Sequence, residues 1–167
     1  MARSLFTVHN LAYQGLFPAS ACADLGLPAS AMQMRGLEFY GQLSFMKAGL
    51  QYADALTTVS PSYAAEIQTH EQGCGLDGVL RERRDVLHGV LNGCDYGVWH
   101  PQADTHLVSR FDVKNMNGKA DCKAALQRES GLAVEPEALL LGMVSRLVEQ
   151  KGLPLVVDAL PAFLNQH

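Results

Sequence analysis

The stretch "ALTTVSPSYAAEI", residues 55–67, changes its period halfway along, and that change decides the fold class. Its first half, Ala55 to Val59, is dense in β-branched residues that suit a pleated, buried strand. Ser60 and Pro61 then supply two helix-start signals. One is a side-chain oxygen for the orphan N–H groups, and the other a fixed φ at the first helical position. A strand running straight into a helix is the repeating unit of a parallel sheet, because parallel neighbours need a crossover between them.

The alternation extends in both directions. Upstream, "SLFTVHN" is a short β-branched and aromatic run that predicts a buried strand, ending in the polar pair His9 and Asn10, and "YQGLFP" marks the following loop. In "LSFMKAGLQYA", Leu43, Met46, Leu50 and Ala53 recur at helical spacing and predict a helix with that face inward. Lys47 within it reads as a helix-surface cation. Downstream, "EQGCGLDGVL" reads as a surface loop, and Asn92-Gly93 is a strong turn signal. A helix is predicted over "NGKADCKAALQRESGL", stopping at Gly131, and "ALLLGMVS" reads as a buried strand. A last helix is predicted over "GLPLVVDALPAFLNQH", with an apolar stripe of Leu153, Val156 or Val157, Leu160 and Leu164. The fold class is therefore α/β with parallel sheets, with a boundary near residues 88–94 between a first part, 1–90, and a second, 91–167.

Composition narrows the function. The 167 residues are 48% hydrophobic, enough for one ordinary domain or parts of two. With 13 Lys+Arg against 17 Asp+Glu, a formal net charge of -4 speaks against nucleic acid as a partner. The sequence has no apolar run of the roughly 20 residues needed to span a bilayer, so the expectation is no membrane partner and a cytoplasmic protein. Cys22, Cys74, Cys94 and Cys122 are scattered without ligand spacing, which suggests reduced thiols rather than a metal site.

Arg146 and Lys151, in "VSRLVEQKGLPLVVDAL", stand between a predicted strand and a predicted helix. Ligands of open α/β sheets bind beyond the carboxyl ends of strands, where helix N-termini point N–H groups outward. A guanidinium fork and an ammonium there suit a diphosphate; the alternative is a solvated loop with two surface cations. His9 and Asn10 follow the first strand and could hydrogen-bond a sugar hydroxyl, or be satisfied locally as a turn. Asn92 and Asp95 are turn residues, or polar groups in a crease between domains. The sequence contains neither a G-x-S-x-G elbow nor a Walker-type phosphate loop.

Four segments, in order along the chain, carry a resemblance: "TVHNLAYQGLF", "GLEFYGQLSFMKAGLQYADALTTVSPSYAAEI", "GLDGVLRERRDVLHGVLNGCD" and "VSRLVEQKG". Together they resemble the bacterial glycogen synthase and plant starch synthase family of retaining GT-B glucosyltransferases. The resemblance implies parts of two Rossmann-like domains: the end of an acceptor-side domain over 1–90, a crossover near 88–94, and the start of a nucleotide-sugar-binding domain over 91–167. It implies glucose transfer from ADP-glucose to the nonreducing end of an α-1,4-glucan, glycogen or starch, with no metal or other cofactor. Location would be cytoplasmic, or plastid in a plant.

In that family Arg146 and Lys151 would contact the donor diphosphate and offset charge on the leaving ADP, and His9 would lie beside the donor glucose. Asn10 would be a neighbouring sugar contact, and Asn92 would sit in the crossover. The resemblance thus assigns His9, Arg146 and Lys151 as catalytic, and those three with Asn10 and Asn92 as substrate-binding. Two family segments, Lys-x-Gly-Gly and a glutamate-bearing Glu-x-x-Gly, have no match here. The expectation is an internal fragment, inactive alone, with open sheet edges that favour aggregation. The alternatives are a UDP-glucose-using GT-B glucosyltransferase and a noncatalytic glucan-binding module.

Overall fold

The computed structural model describes residues 2–165. The chain divides into two compact units, Met1–Cys94 and Asp95–His167. The end of the last predicted helix, Gln166 and His167, lies outside the described residues.

The first unit runs β1 (Leu5–Val8), β2 (Leu16–Pro18), α1 (Ala21–Asp24), β3 (Glu38–Phe39), β4 (Gln42–Ser44), α2 (Phe45–Tyr52), β5 (Ala55–Thr58), α3 (Pro61–Glu66), α4 (Asp77–Glu82) and β6 (Leu87–Gly89). Strands β1, β5 and β6 form a parallel sheet in that order, with Val8 opposite Thr58 and Thr58 opposite Gly89. The stretch at residues 55–67 folds as its composition predicts. Ser60 Oγ accepts the Tyr63 N–H at 2.9 Å, and Pro61 opens α3. Ser44 caps α2 in the same way, accepting the Lys47 N–H at 3.1 Å.

Val8, Leu50, Leu56, Ile67 and Leu80 are fully buried and form the centre of the core, between the parallel sheet and helices α2, α3 and α4. The predicted buried strand over "SLFTVHN" is only half covered: Val8 is buried and Phe6 partly so, while Leu5 and Thr7 are exposed. β1 is an edge strand in this sheet, and alternate residues of a strand face opposite sides.

Three readings of this unit are corrected. "YQGLFP" is not all loop, since Leu16–Pro18 joins β4 and β3 in an antiparallel sheet of order β2-β4-β3. Strands of two or three residues are too short to show a period. "EQGCGLDGVL" is not all surface loop either: α4 begins inside it, with Leu76 and Leu80 buried one turn apart. Gly73, Gly75 and Gly78 hid that spacing. Lys47 is not a surface cation, because its side chain is buried in α2.

At the N-terminal end of the parallel sheet, Asp54 Oδ2 accepts both the Ser4 N–H at 2.6 Å and the Ser4 O–H at 2.9 Å. These bonds, the backbone one first, hold the Asp54 carboxyl below the ordinary aspartate range, with the Arg83 guanidinium adding to the effect. A carboxylate with a depressed folded pKa stabilises the fold above its unfolded value, about 3.9, and that contribution disappears as pH falls through the lower folded value. Asp54→Asn is therefore expected to flatten the acid side of the unit's stability profile while leaving its slope above about pH 5 unchanged. Urea midpoints measured between about pH 2 and 7 check this; parallel profiles for the two proteins would refute it.

The second unit contains α5 (Asn117–Glu129) and α6 (Leu153–Leu164). α5 ends where predicted: Gly131 takes φ +70° and the Leu132 N–H returns to the Gln127 carbonyl at 2.8 Å. The strand expected over "ALLLGMVS" does not form, and no strand occurs among the described residues of this unit. A strand needs a partner for its ladder, and the sequence of this unit offers one candidate strand only. For the same reason the stripe on α6 is not buried, and Val156, Val157, Leu160 and Leu164 are exposed. Among the described residues, no helix is long and apolar enough to cross a membrane.

Candidate functional site

β1 delivers His9 and Asn10 to the C-terminal end of the parallel sheet. The strand end is fixed by Thr58, whose buried hydroxyl donates to the Val8 carbonyl at 2.8 Å. Beyond it the chain turns. Asn10 Oδ1 accepts the Ala12 N–H at 3.0 Å and the Asn10 carbonyl accepts the Tyr13 N–H at 3.3 Å. Leu11 anchors the turn: its side chain is fully buried and its N–H donates to Tyr63 Oη of α3 at 3.0 Å. The turn therefore presents the exposed His9 ring at the strand end, and Asn10 Oδ1 serves the turn itself.

Asn92 follows β6 in the same unit and is exposed. Asn92-Gly93 does not form the turn its sequence signals. No strand returns antiparallel to β6 among the described residues, so no hairpin is there to close. The turn comes three residues later, organised by Asp95, whose carbonyl accepts the Trp99 N–H at 2.8 Å and whose Oδ1 accepts the Gly97 N–H at 2.9 Å.

In the second unit, Arg146 and Lys151 are exposed on the segment that leads into α6. The Val148 N–H donates to the Arg146 carbonyl at 2.9 Å, and the Lys151 N–H to the Val148 carbonyl at 2.9 Å. Residues 149–151 form a short 3-10 turn, and Gly152 takes φ +71° to redirect the chain into the helix. A left-handed residue is needed there, and glycine takes it without strain. Two cations thus sit just before the first turn of a twelve-residue helix, whose N-terminal N–H groups and dipole favour an anion. His9, Asn10 and Asn92 belong to one unit and this cationic turn to the other.

Two residues of the first unit were missed as candidates. Lys47 Nζ donates to the Glu38 carbonyl at 2.5 Å, and Gln14 Nε2 donates to the Cys74 carbonyl at 2.7 Å. Lys47 was detectable in principle, since it lies three residues before the buried Leu50 on one face of α2. Gln14 left no such trace, because its partner is far away in sequence.

The starch synthase catalytic domain family matches residues 1–82. The chain is 58% identical over 166 residues to the glycogen synthase of Leptothrix cholodnii, covering 99% of this chain and 34% of that protein. Identity to the glycogen synthase of Francisella philomiragia is 57% over 159 residues, covering 95% of this chain and 33% of the relative. Among solved structures, the catalytic domain of starch synthase IV from Arabidopsis thaliana, bound to ADP and acarbose, matches with a TM-score of 0.86 and 33% identity, over 98% of this chain and 34% of that one. The chain thus spans about a third of the length of the relatives it matches. The fold is the α/β, GT-B type of that catalytic domain. An identity above one half, sustained through both units, makes this chain a member of the glycogen synthase and starch synthase family.

Proposed function

We propose that this chain works as part of a cytoplasmic glucosyltransferase that moves glucose from ADP-glucose to the nonreducing 4-hydroxyl of an α-1,4-glucan, with retention at the anomeric carbon. The observation that carries the reading is the pairing of 58% identity to a glycogen synthase with two exposed cations at the entry to α6. ADP and acarbose in the Arabidopsis domain support a nucleotide and a saccharide as ligands here.

The chemistry breaks the bond from glucose C1 to the diphosphate and forms one from C1 to the acceptor O4. The acceptor hydroxyl proton is released as ADP departs. Arg146 would hold two diphosphate oxygens with its planar fork while Lys151 adds a compact charge. Both would act most strongly as negative charge accumulates on the leaving group, which makes their role catalytic as well as binding. His9 and Asn10, at the end of β1, would contact the glucose, and Asn92 would lie near the site. No step of this scheme calls for a metal.

The test grafts these 167 residues into the matching third of the Leptothrix cholodnii glycogen synthase and assays transfer to glycogen from ADP-glucose and UDP-glucose in parallel. Preferential use of ADP-glucose is expected. Preference for UDP-glucose would replace the donor assignment, and glycogen binding without transfer from either donor would replace the enzyme reading with a binding module.

A further inference from the structure

A pocket of about 400 Å³ opens in the first unit between the β3-β4 turn, α2 and the loop before α4, lined by Glu38, Phe39, Tyr40, Lys47, Gly75 and Leu76. None of these residues belongs to the donor contacts assigned above. Its volume is in the range of small-ligand sites.

Lys47 is the unusual wall. The residue is only 6% exposed, yet no carboxylate lies within ion-pair distance among the described residues. The Glu38 carbonyl takes one of its N–H bonds. An ammonium carries three, so two remain for a ligand's oxygens to satisfy. A buried cation with one neutral acceptor is costly unless something else supplies oxygens.

The rim is built with strain. Tyr40 takes φ +49° and is 82% exposed, and Cys74, which precedes the lining residue Gly75, also takes φ +49°. A bulky residue at such a φ is rare and persists when its surroundings over-determine it. The Phe39 and Tyr40 rings meet edge to face at 4.7 Å. Gly75 admits them, since a Cβ there would lie 3.1 Å from Phe39 Cζ and 3.3 Å from Tyr40 Cε2. Gln14 Nε2 donates to the Cys74 carbonyl at 2.7 Å, and its buried Oε1 has no protein partner.

We propose that this pocket binds a glucose unit of an α-glucan chain, with the Lys47 ammonium donating to its hydroxyl oxygens, the Glu38 carboxylate accepting from a hydroxyl, and the Tyr40 ring covering its C–H face. A neutral polyol fits this wall better than an anion. Glu38 would repel a phosphate, whereas a hydroxyl both donates and accepts, and the aromatic pair offers an apolar face. The inference rests on the glucan reading above and adds a subsite to it.

The full chain titrated calorimetrically with maltoheptaose, and separately with inorganic phosphate, tests the pocket. The variants are Tyr40→Gly, which relieves the backbone strain as it removes the ring, and Lys47→Met, which keeps the stem and removes the charge. Each is expected to weaken maltoheptaose binding about tenfold, Lys47→Met through the loss of a hydrogen bond from a charged group and Tyr40→Gly through the loss of the ring face. Thermal unfolding of Tyr40→Gly is expected to match the parent. Unchanged maltoheptaose affinity in both folded variants would overturn the subsite and leave the glucosyltransferase reading intact. Binding of phosphate that Lys47→Met abolishes, without maltoheptaose binding, would overturn it in favour of an anion site. Absence of any maltoheptaose binding by the parent would count against the glucan reading itself.

Discussion

Alanine at Arg146 or Lys151, introduced into the chimera with the Leptothrix enzyme, is expected to lower kcat for glucose transfer about a hundredfold each, with a smaller change in KM. The reason is the timing of charge. The diphosphate already carries charge in the bound donor, so part of each proposed contact would serve binding. The bond to C1 breaks with further charge moving onto the phosphate oxygens, and a cation aimed there acts more strongly in the transition state than before it. Arg146→Lys is expected to recover little, because one ammonium cannot reproduce the two parallel N–H bonds of the fork. Steady-state kinetics with ADP-glucose varied at saturating glycogen separate the two effects. Unchanged kcat in both alanine variants would remove Arg146 and Lys151 from the chemistry.

The largest effect on stability is expected at Leu56. This residue is fully buried in the central strand β5 and belongs to the core cluster with Val8, Leu50 and Leu80. Leu56→Ala removes its buried methyl groups and leaves a cavity between sheet and helices, at a cost of about 3 kcal/mol. That is a large share of a domain stability of about 5–15 kcal/mol. Leu5→Ala on the edge strand is the control. Leu5 is exposed, and its replacement is expected to change stability by less than about 0.5 kcal/mol. Urea unfolding followed by far-UV circular dichroism would show a large fall in midpoint for the first and almost none for the second. Equal shifts would mean that the parallel sheet is not the cooperative centre of the unit.

The candidate site was legible to different depths. The turn into α6 could be read from residues 146–152, because it consists of a predicted helix start, a glycine and two cations close together in sequence. His9 and Asn10 were legible as residues at a strand end. That Asn10 Oδ1 would be engaged by the Ala12 N–H was one of two open readings, and the structure decided it. Lys47 was misread because a cation in an amphipathic helix ordinarily points to water. Its burial depends on the Glu38 carbonyl, which reaches it through a two-residue strand with no signal of its own.

The sequence by itself determined the alternation of strand and helix at residues 55–67, the cap at Ser60, and the stop of α5 at Gly131. These are local events, settled within one turn by side-chain oxygens, φ preferences and the spacing of apolar residues. Tertiary structure alone decided the antiparallel β2-β4-β3 sheet, the burial of Lys47 and the clamp of Gln14 on Cys74, which joins residues 60 positions apart. It also decided against the turn at Asn92-Gly93 and the strand over "ALLLGMVS". The physical reason is common to all of them: a short strand, a buried charge or a turn is stable only when a partner distant in sequence completes its hydrogen bonds, and local composition does not report whether that partner arrives.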